Sequence, residues 1–232
     1  MDLSIIVPAY NEEKRMIPFL EDLIKFSKTL KSYEIILVND GSKDKTLEIM
    51  EGLKKKNKNI KIVSYEQNKG KAGALKEGIN SALGEKILFI DADGSIPPYE
   101  IKEMVNKLDN YDVVVGNRAS KESKITQSLL RKTTGILFNT YVNILFGLGL
   151  QDNLCGFKGF RKNIAKYLFN NLISKGWIFD VELFYRIKEK SYSLYQQPIR
   201  WINKKDSKIK PFDPIKMAFQ LIILRKKIVS KK

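Results

Sequence analysis

Strand-like and helix-like segments alternate along the first half of this chain, and this order restricts the fold more than any other feature. Short runs rich in Ile, Val and Leu lie at residues 3–7, 34–38, 60–65, 86–90 and 112–116. Segments with helical periodicity lie between them, at residues 12–30, 44–56, 71–83 and 98–108. Continuous apolar runs are typical of strands that are buried on both faces, and the alternating order indicates parallel pairing. We therefore expect an α/β fold, with a mostly parallel sheet and helices on both of its faces.

Polar residues and glycines follow the predicted strands at the points where they end. These strand ends lie at residues 8–12, 39–42, 68–71, 91–94 and 116–118. The carboxyl ends of parallel strands meet at one edge of a sheet, which is where open α/β sheets bind their ligands. We therefore expect a binding site at that edge.

The amino-acid composition excludes several kinds of catalytic site. The 232 residues include no histidine and a single cysteine, Cys155. Histidine-based zinc sites, Ser-His-Asp triads and cysteine metal clusters are thereby excluded, so carboxylates must carry any metal or acid–base chemistry. The formal net charge of +16 favours a phosphorylated or otherwise anionic partner, although a generic basic protein has the same property.

Two aspartates, Asp91 and Asp93, flank Ala92 directly after the predicted strand at residues 86–90. Side chains two residues apart on an extended segment point the same way, so these carboxylates suit a hard divalent cation such as Mg²⁺ or Mn²⁺. Such an ion would keep sites for water and a diphosphate, and would stabilise that diphosphate as it leaves. A solvated Asp-Gly turn is the simple alternative.

Two further strand ends carry possible ligand-binding residues. Asp40 is placed to accept a hydrogen bond from a nucleotide base, whereas Ser42 or Asp44 would cap the helix that follows. Lys71 lies at a glycine-containing helix start, where backbone N–H groups and a lysine favour phosphate.

The second half of the chain is less regular. Helical patterns lie at residues 129–150, 178–190 and 214–229, and a turn with a short strand is predicted at residues 152–160. The helix at residues 178–190 carries Asp180 and Glu182, and the last helix is basic and amphipathic. Neither a repeat nor a linker divides the chain, so we expect one domain over residues 1–232.

Four motifs of the first half share an order and spacing with a known family. They are Pro-Ala-Tyr-Asn-Glu at residues 8–12, Val-Asn-Asp-Gly-Ser at 38–42, Asn-Lys-Gly-Lys-Ala-Gly-Ala at 68–74 and Asp-Ala-Asp at 91–93. Together they resemble the successive motifs of family 2 glycosyltransferases, which have the Rossmann-like GT-A fold. The resemblance implies that a nucleotide-sugar is bound by Pro8, Tyr10, Glu12, Asp40, Lys71, Asp91, Ala92 and Asp93, the first four at the nucleoside. It implies Mg²⁺ or Mn²⁺ and the diphosphate at Asp91 and Asp93.

Further segments narrow this resemblance. They are residues 115–118, Arg131 and residues 152–160, 176–183 and 207–213. These segments resemble the dolichyl-phosphate sugar synthases, and the last two resemble the glucosyl branch more than the mannosyl branch. Asn153 and Leu154 stand where the glucosyl branch more often has Thr-Gln, so glucose is favoured and mannose stays open. Residues 197–201 are similar to a motif of processive polysaccharide synthases, but the long transmembrane segments of those enzymes are absent here.

The resemblance implies an inverting transfer of a hexose from UDP-glucose or GDP-mannose to dolichyl or polyprenyl phosphate. Arg118, Arg131 and Arg200 are the predicted ligands of the acceptor phosphate, because guanidinium groups match phosphate oxygens. We predict Asp93, Asp180 and Arg200 as the catalytic residues. A phosphate acceptor requires no strong general base, so Asp180 would orient the sugar or an arginine, or cap its helix. With a sugar hydroxyl as acceptor, Asp180 would be the base.

A lipid acceptor requires a membrane surface. We divide the domain into a nucleotide-sugar half (1–118), an acceptor half (119–210) and a basic helix (211–232). This helix and residues 136–150 favour a peripheral membrane surface, although a solvated helix and a core helix are the respective alternatives. The sequence shows no secretory leader and no stretch of ~18 apolar residues. We expect a protein on the cytoplasmic face of a membrane, with a separate membrane subunit left open.

Two other functions stay open on the sequence alone. One is a family 2 transferase that adds a sugar to a glycan hydroxyl, and the other is a nucleotide- or nucleic-acid-binding module without enzyme activity. The Gly-x-Gly-x-x-Gly fingerprint and aromatic–basic interleaving are both absent, so we expect no nucleic-acid partner.

Overall fold

The computed structural model describes residues 1–126, 129–174, 176–202, 204 and 213–229. Its strands are β1 (Leu3–Ala9), β2 (Tyr33–Asp40), β3 (Ile60–Tyr65), β4 (Lys86–Ile90), β5 (Val113–Asn117), β6 (Lys124–Thr126), β7 (Phe157–Arg161), β8 (Leu194–Pro198) and β9 (Arg200–Ile202). Its helices are α1 (Met16–Ser27), α2 (Thr46–Lys56), α3 (Gly70–Ser81), α4 (Glu100–Lys107), α5 (Leu129–Phe146), α6 (Lys162–Asn170), α7 (Phe179–Glu189) and α8 (Asp213–Val229). A short 3₁₀ helix, Gly176–Ile178, leads into α7.

A seven-stranded sheet has the order β3-β2-β1-β4-β7-β5-β8. All neighbours in it run parallel except β7, which is antiparallel to both β4 and β5. Strands β6 and β9 form a separate parallel pair. The predicted α/β fold with a mostly parallel sheet is confirmed. Because β5, β7 and β8 continue the sheet that β1 to β4 begin, the two halves of the chain share one sheet.

Both faces of the sheet are buried, because neighbouring residues of each strand point to opposite sides. Ile5 and Val7 of β1 pack in one apolar cluster with residues of α1, α2 and α4. Ile6, between them, packs in the other cluster with residues of α3, α6 and α7. This arrangement explains why the strands are continuous apolar runs instead of alternating ones.

Helices α5 and α8 pack against each other over a third apolar cluster. Val142 of α5 and Leu221 of α8 are fully buried in it. The hydroxyl group of Tyr141 donates a hydrogen bond of 3.0 Å to the carbonyl of Ala218. The predicted C-terminal helix therefore lies on α5 and contributes to the fold.

Helix α5 is shorter than the helix predicted at residues 129–150. It ends at Phe146, and the Gly147 that follows has a φ of +62°. Glycine adopts this left-handed conformation without strain and commonly terminates helices. The apolar composition continues past the helix, which is why the composition alone placed its end too late.

Several elements of the second half have no counterpart among the predicted ones, namely β6, β8, β9 and α6. Strand β8 has the sequence Leu-Tyr-Gln-Gln-Pro and lies at an edge of the sheet. An edge strand needs only partial burial, so it gives no continuous apolar run to detect.

Candidate active site

The loops after β1, β2 and β4 meet at the carboxyl edge of the sheet and surround a pocket of about 360 Å³. The starts of α3 and α7, together with Lys204 beyond β9, contribute to its lining. The predicted site residues that line this pocket are Pro8, Tyr10, Glu12, Asp40, Lys71, Asp91, Ala92, Asp93, Arg118 and Asp180. The structure therefore brings together residues from both halves of the chain.

Pro8 marks the point at which β1 leaves the sheet on one side. Strand β1 pairs with β2 as far as Ala9, but it pairs with β4 only as far as Ile6. Proline has no N–H group, so it is tolerated where a strand loses a hydrogen-bonding neighbour. The separation of β1 from β4 beyond Ile6 leaves room for the pocket.

Asp40 is a fixed carboxylate in the pocket wall. Its Oδ1 atom accepts hydrogen bonds from the Tyr65 hydroxyl and the Lys69 backbone N–H, both at 2.8 Å. Its Oδ2 atom accepts one of 2.9 Å from the Asn68 amide. Burial of Tyr65, together with its hydrogen bond to Asp40, raises the pKa of that phenol. These contacts hold Asp40 in one orientation at the end of β2.

Glu12 and Arg15 form a pair on the same side of the pocket. The Arg15 guanidinium donates to both carboxylate oxygens of Glu12, at 2.8 and 2.7 Å. The backbone N–H of Glu12 donates to the Thr46 hydroxyl at 2.8 Å, which ties the loop after β1 to the start of α2. Tyr10 is 40% exposed and lines the pocket.

The Asp91–Asp93 pair lies beside a lysine. Lys71 Nζ lies 2.5 Å from Asp91 Oδ1, and Asp93 Oδ1 accepts a hydrogen bond of 2.9 Å from the Ser95 N–H. Burial of Lys71 opposes its charge, but Asp91, with Asp180 and Asp93, outweighs burial and raises the pKa of Lys71. The site therefore holds the ammonium group of Lys71 next to its two carboxylates.

Gly156 lies directly against Asp91. A Cβ atom at position 156 would lie 1.9 Å from Asp91 Oδ2, which is far inside van der Waals contact. Any side chain there would displace the carboxylate. The loop before β7 is thus shaped around Asp91.

The carboxylate pair fits a divalent cation that completes its coordination with a ligand. Across the described part of the chain, no cluster of three or more acidic or cysteine side chains is able to hold a metal ion by itself. Mg²⁺ commonly binds one or two carboxylates and takes its other ligands from water and substrate phosphates. Asp91 and Asp93, both in the pocket lining, provide that donor set.

Asp180 lines the pocket from the first turn of α7 and is only 5% exposed. Its Oδ1 atom accepts a hydrogen bond of 2.7 Å from Lys158 Nζ. Burial raises the pKa of Asp180, although Lys158 and Lys71 oppose that shift. Glu182 is bound instead by Arg186, at 2.8 Å, and does not contribute to the described pocket lining. A spacing of two residues on a helix explains this difference.

Arg118 is paired with a neighbouring aspartate. Its Nε and Nη2 atoms donate to Asp152 at 2.7 and 2.8 Å, and its guanidinium lies 5.8 Å from the centre of the Trp201 ring. Burial opposes the charge of Arg118, but Asp152 outweighs burial and raises the pKa of Arg118. The sequence predicted a phosphate ligand here, and the structure places Arg118 in the pocket as half of an ion pair.

The comparison with known families agrees with this geometry. A family model described as glycosyl transferase family 2 matches residues 4–169. The chain belongs to glycosyl transferase family 2. The match includes all four motifs of the first half, so the resemblance drawn from them is confirmed.

Relatives of this glycosyltransferase align across most of its length. Dolichyl-phosphate beta-glucosyltransferase ALG5C of Trichomonas vaginalis is 35% identical over 233 residues, which cover 94% of this chain and 69% of the relative. Dolichyl-phosphate beta-glucosyltransferase of Dictyostelium discoideum is 35% identical over 240 residues, which cover 96% of this chain and 73% of the relative. The predicted similarity to the glucosyl branch is therefore confirmed.

A solved structure shares the fold of this family 2 glycosyltransferase. It is glucosyl-3-phosphoglycerate synthase from Mycobacterium tuberculosis in complex with Mn²⁺, uridine diphosphate and phosphoglyceric acid. The TM-score is 0.68 at 20% sequence identity, over 95% of this chain and 76% of that chain. The predicted GT-A fold is confirmed.

Arg200, a predicted phosphate ligand, lies outside the described pocket lining of the glycosyltransferase. The Arg200 side chain is exposed and is not among the described pocket-lining residues, whereas the next residue, Trp201, lines the pocket. Neighbouring residues of a strand point to opposite sides, so β9 directs one of the two inward. Arg131 belongs to α5, but its side chain lies outside the described residues.

The glycosyltransferase pocket also contains residues that the sequence analysis did not predict as site residues. They are Arg15, Ser95, Leu154, Gly156, Trp201, Lys204 and Met217, among others. Arg15 and Lys204 add positive charge, and Leu154, Trp201 and Met217 add apolar surface. The isolated tryptophan next to Arg200 was the one available signal, because large aromatic residues seldom lie in exposed loops without a partner.

Proposed function

We propose that this chain transfers glucose from a nucleotide-sugar to dolichyl phosphate or a related polyprenyl phosphate. The observation that carries the proposal is the composition of one pocket. It joins acidic and basic residues with the apolar side chains of Leu154, Trp201 and Met217. A charged donor and an acceptor with a charged head and an apolar tail both find complementary surface there. The names of the relatives that align with the chain support the same reaction.

The nucleotide is bound by the loops after β1 and β2 in this proposal. Pro8, Tyr10, Glu12 and Asp40 line that part of the pocket. Asp40 is held rigidly, so its carboxylate is prepared to accept a hydrogen bond from a base N–H group. Lys71, in the first turn of α3, faces the diphosphate, where the positive end of the helix adds to its charge. UDP-glucose is the donor that we propose, with GDP-mannose as the alternative.

Asp91 and Asp93 hold Mg²⁺ or Mn²⁺ together with the donor diphosphate in this proposal. A bound divalent ion supplies Lewis-acid stabilisation of the negative charge on the leaving diphosphate. Lys71 adds a second positive charge beside the same oxygens, and Ala92 keeps the two aspartates two residues apart. Glucosyl-3-phosphoglycerate synthase, whose structure contains Mn²⁺, shares the fold of this chain. That similarity supports the fold, and the metal site proposed here is argued from Asp91 and Asp93.

The metal site is tested by replacing one carboxylate. Asp93→Ala is expected to abolish the Mn²⁺-dependent binding of UDP-glucose, because a single remaining carboxylate leaves the ion under-coordinated. Isothermal titration with and without Mn²⁺ measures this effect. Asp22→Ala, on the exposed side of α1, removes the same charge and should bind the donor like the wild type. Full activity of Asp93→Ala would refute the metal assignment.

The acceptor phosphate is bound on the side of the pocket formed by the second half of the chain. Arg118, the last residue of the first half, lies 5.8 Å from the ring centre of Trp201, and Lys204, Leu154 and Met217 line the same pocket. We propose that the cations bind the phosphate and that the apolar residues bind the first isoprenoid units. Arg131 and Arg200 remain proposed phosphate ligands; the exposed Arg200 would act from the rim of the pocket.

The reaction is a direct displacement with inversion at the anomeric carbon. An oxygen of the acceptor phosphate forms the new C–O bond, and the bond from the anomeric carbon to the nucleotide diphosphate breaks. The products are a glycosyl phosphodiester of the lipid and a nucleoside diphosphate. Since the acceptor is already deprotonated at neutral pH, the protein supplies positioning and charge stabilisation instead of a strong base. In this role Asp180 orients the sugar.

Exposed apolar surface supports peripheral membrane binding. Helix α5 exposes Ile136, Leu137 and Ile144, and helix α8 exposes Phe219, Ile222 and Ile223. Lys216, Arg225 and Lys226 are exposed on α8 as well. Basic amphipathic helices bind anionic membrane surfaces in this way, and the cytoplasmic leaflet is the anionic one. Over the described residues, no helix is both long and apolar enough to cross a bilayer.

One assay separates the proposed reaction from transfer to a glycan hydroxyl. The protein is incubated with Mn²⁺, radiolabelled UDP-glucose or GDP-mannose, and either dolichyl phosphate in detergent or an oligosaccharide. Label in organic-extractable lipid, obtained with UDP-glucose, is the expected result. Label in the oligosaccharide alone would replace the proposal with transfer to a glycan hydroxyl, for which Asp180 is the candidate base. Absence of a lipid product with both donors would refute it.

A further inference from the structure

Lys158 is the one fully buried lysine among the described residues, and it lies in the centre of the sheet. Strand β7, which contains it, pairs with β4 on one side and β5 on the other. Its ammonium group lies 5.5 Å from the centre of the Phe89 ring and 5.2 Å from that of Phe184. An ammonium group in such surroundings is strongly unfavourable unless it is paired.

The contacts of Lys158 point toward the pocket. Its Nζ atom donates to Asp180 Oδ1 at 2.7 Å and to the carbonyl oxygen of Cys155. Asp180 lines the pocket, and Cys155 precedes Gly156, which contacts Asp91. One buried ammonium therefore joins α7 to the loop that closes on the metal-binding aspartate.

The charges continue from Lys158 into the pocket with alternating sign. Asp180 is ion-paired with Lys158 at 2.7 Å and also interacts electrostatically with Lys71. Lys71 in turn pairs with Asp91 at 2.5 Å. Removing the first cation of this series would leave Asp180 with less positive charge around it, and a buried carboxylate in that condition rotates away or takes up a proton.

We propose that Lys158 is a positioning residue for glycosyl transfer, which holds the Asp180 carboxylate ionised and directed at the sugar of the bound donor. Lys158 does not line the pocket, so it acts through Asp180. The inference depends on the proposed function for one point, namely that Asp180 faces the donor sugar. A purely structural link between β7 and α7 is the competing explanation.

The same helix contains a matched control. Glu182 is fully buried, and Arg186 binds its carboxylate at 2.8 Å, one turn further along α7. Glu182 also accepts hydrogen bonds from the backbone N–H groups of Ile173 and Ser174. This pair stabilises α7 and its neighbouring loop without being part of the described pocket lining, so Arg186→Met reports the effect of losing a buried structural pair.

Donor binding distinguishes the two explanations without an acceptor. The dissociation constants of UDP-glucose and of UDP alone are measured with Mn²⁺ for the wild type and for Lys158→Met, Asp180→Asn, Lys158→Arg and Arg186→Met. Lys158→Met and Asp180→Asn should each weaken UDP-glucose binding roughly tenfold while UDP binding stays within about twofold. Lys158→Arg keeps the charge and should recover part of the loss. Arg186→Met should lower the melting temperature and change neither constant.

The double variant Lys158→Met with Asp180→Asn completes the test. It removes both charges of the buried pair, so it is also informative if Lys158→Met alone, which leaves Asp180 without its partner, does not fold. If Lys158 acts through Asp180, the double variant binds UDP-glucose as weakly as Asp180→Asn alone, because the two effects are not additive. A double variant that is much weaker than Asp180→Asn would overturn the inference. Equal losses for UDP-glucose and UDP would also overturn it, since that pattern indicates a general disturbance of the pocket.

The outcome can be separated from that of the proposed function. If the wild type binds UDP-glucose but makes no lipid product, the proposed acceptor is wrong. The inference about Lys158 is then still tested by the dissociation constants of UDP-glucose and UDP. If the wild type prefers GDP-mannose, the same comparison is made with GDP-mannose and GDP. If Asp180→Asn binds the sugar nucleotide like the wild type, Asp180 does not face the sugar and the inference fails.

Discussion

At the scale of single residues, position 156 accepts no residue larger than glycine without a shift of its neighbours. A Cβ atom at this position would lie 1.9 Å from Asp91 Oδ2, so Gly156→Ala must displace the carboxylate or the loop. A misplacement of about 1 Å at a reacting centre lowers turnover by roughly 100-fold. We expect a loss of this size in the rate of lipid glucosylation, with circular dichroism showing that the fold is kept.

Gly52 provides the matched control for that substitution. It lies inside α2, and a Cβ atom there would meet no other atom within 4 Å. Gly52→Ala should leave activity unchanged and stabilise the protein by about 0.5–1 kcal/mol, because alanine is the better helix former. If Gly156→Ala behaved like Gly52→Ala, the assigned position of Asp91 would be wrong.

The pair of Asp152 and Arg118 predicts a specific pH dependence of stability. Burial favours the protonated form of Asp152, but the Arg118 guanidinium outweighs burial and lowers the pKa of Asp152. A carboxyl group with a lowered folded-state pKa contributes stability above its unfolded-state pKa of about 3.9, and this contribution is lost as the pH falls through the folded-state value.

Asp152→Asn tests this prediction through chemical denaturation at several pH values. At pH 7 the variant should be about 1–3 kcal/mol less stable than the wild type, the usual effect of losing hydrogen bonds to a charged group. As the pH falls below about 4, the difference in stability between the variant and the wild type should shrink, because the wild-type carboxylate takes up a proton. A difference that stays constant over this range would show that the ion pair does not contribute.

Most of the predicted site residues that line the pocket belong to local motifs, whereas the pocket residues that the sequence did not predict depend on distant contacts. Asp91 and Asp93 follow a recognisable strand, so their place at the sheet edge follows from local order alone. Lys158 lies in a short Gly-Phe-Lys-Gly-Phe segment that does not indicate burial. Arg200 was predicted for the pocket, but the strand pairing that turns Trp201 inward instead joins β9 to a segment far away in sequence.

At the scale of secondary-structure elements, the start of α2 shows how a helix cap also supports the site. Asp44 Oδ1 accepts hydrogen bonds from the Thr46 N–H and hydroxyl groups, and Asp44 Oδ2 accepts one from the Glu13 N–H. Burial opposes the ionisation of Asp44, but the hydrogen bonds from Thr46 and Glu13 together outweigh burial and lower the pKa of Asp44. The Asp44 side chain therefore binds the N–H group of the first residue of α2 and fixes the loop after β1. The sequence predicted a capping role of this kind for Ser42 or Asp44, separate from the role of Asp40.

Asp44→Ala should destabilise the protein by about 0.5–2 kcal/mol, the range measured for the loss of an N-terminal cap. Because the loop with Glu12 is tied to the same point, donor affinity should fall as well. Glu51→Ala, exposed in the middle of α2, is the control and should change neither property. Thermal denaturation and donor titration together measure both effects. Unchanged stability in Asp44→Ala would contradict the capping role.

Element boundaries were harder to predict than element types. The helix predicted at residues 12–30 begins only at Met16, since Glu12 forms hydrogen bonds that belong to the pocket. Helix α5 ends early at Gly147, as described above. Both errors arise where backbone conformation is set by a functional contact or by a left-handed glycine, and neither is encoded in apolar periodicity.

At the scale of the whole molecule, the sheet and its functional edge were predictable because both follow from the order of the elements. The closure of the pocket was not, because it depends on pairs that are distant in sequence. The Arg118–Asp152 pair spans 34 residues, and the backbone N–H of Arg200 donates to Glu100 over a separation of 100 residues. The fold as a whole brings the partners of such contacts together, so the local sequence around either partner does not indicate them.

The same whole-molecule view predicts how the protein meets a membrane. Phe219 and Ile223 are 66% and 54% exposed on α8, on the opposite side from Met217 in the pocket lining. Burying a large apolar side chain contributes about 1.5–3 kcal/mol, so Phe219→Gln with Ile223→Gln should weaken binding to phosphatidylserine-containing vesicles by at least roughly tenfold. Leu83→Gln removes an exposed apolar side chain elsewhere and should bind like the wild type.

The net charge of +16 predicts in addition that high salt weakens the binding of the wild type to these vesicles, because salt screens the attraction to anionic lipids. The contribution of the buried apolar side chains to the affinity should persist at high salt. Equal binding of the double variant and the wild type in a vesicle sedimentation assay would show that α8 does not face the lipid.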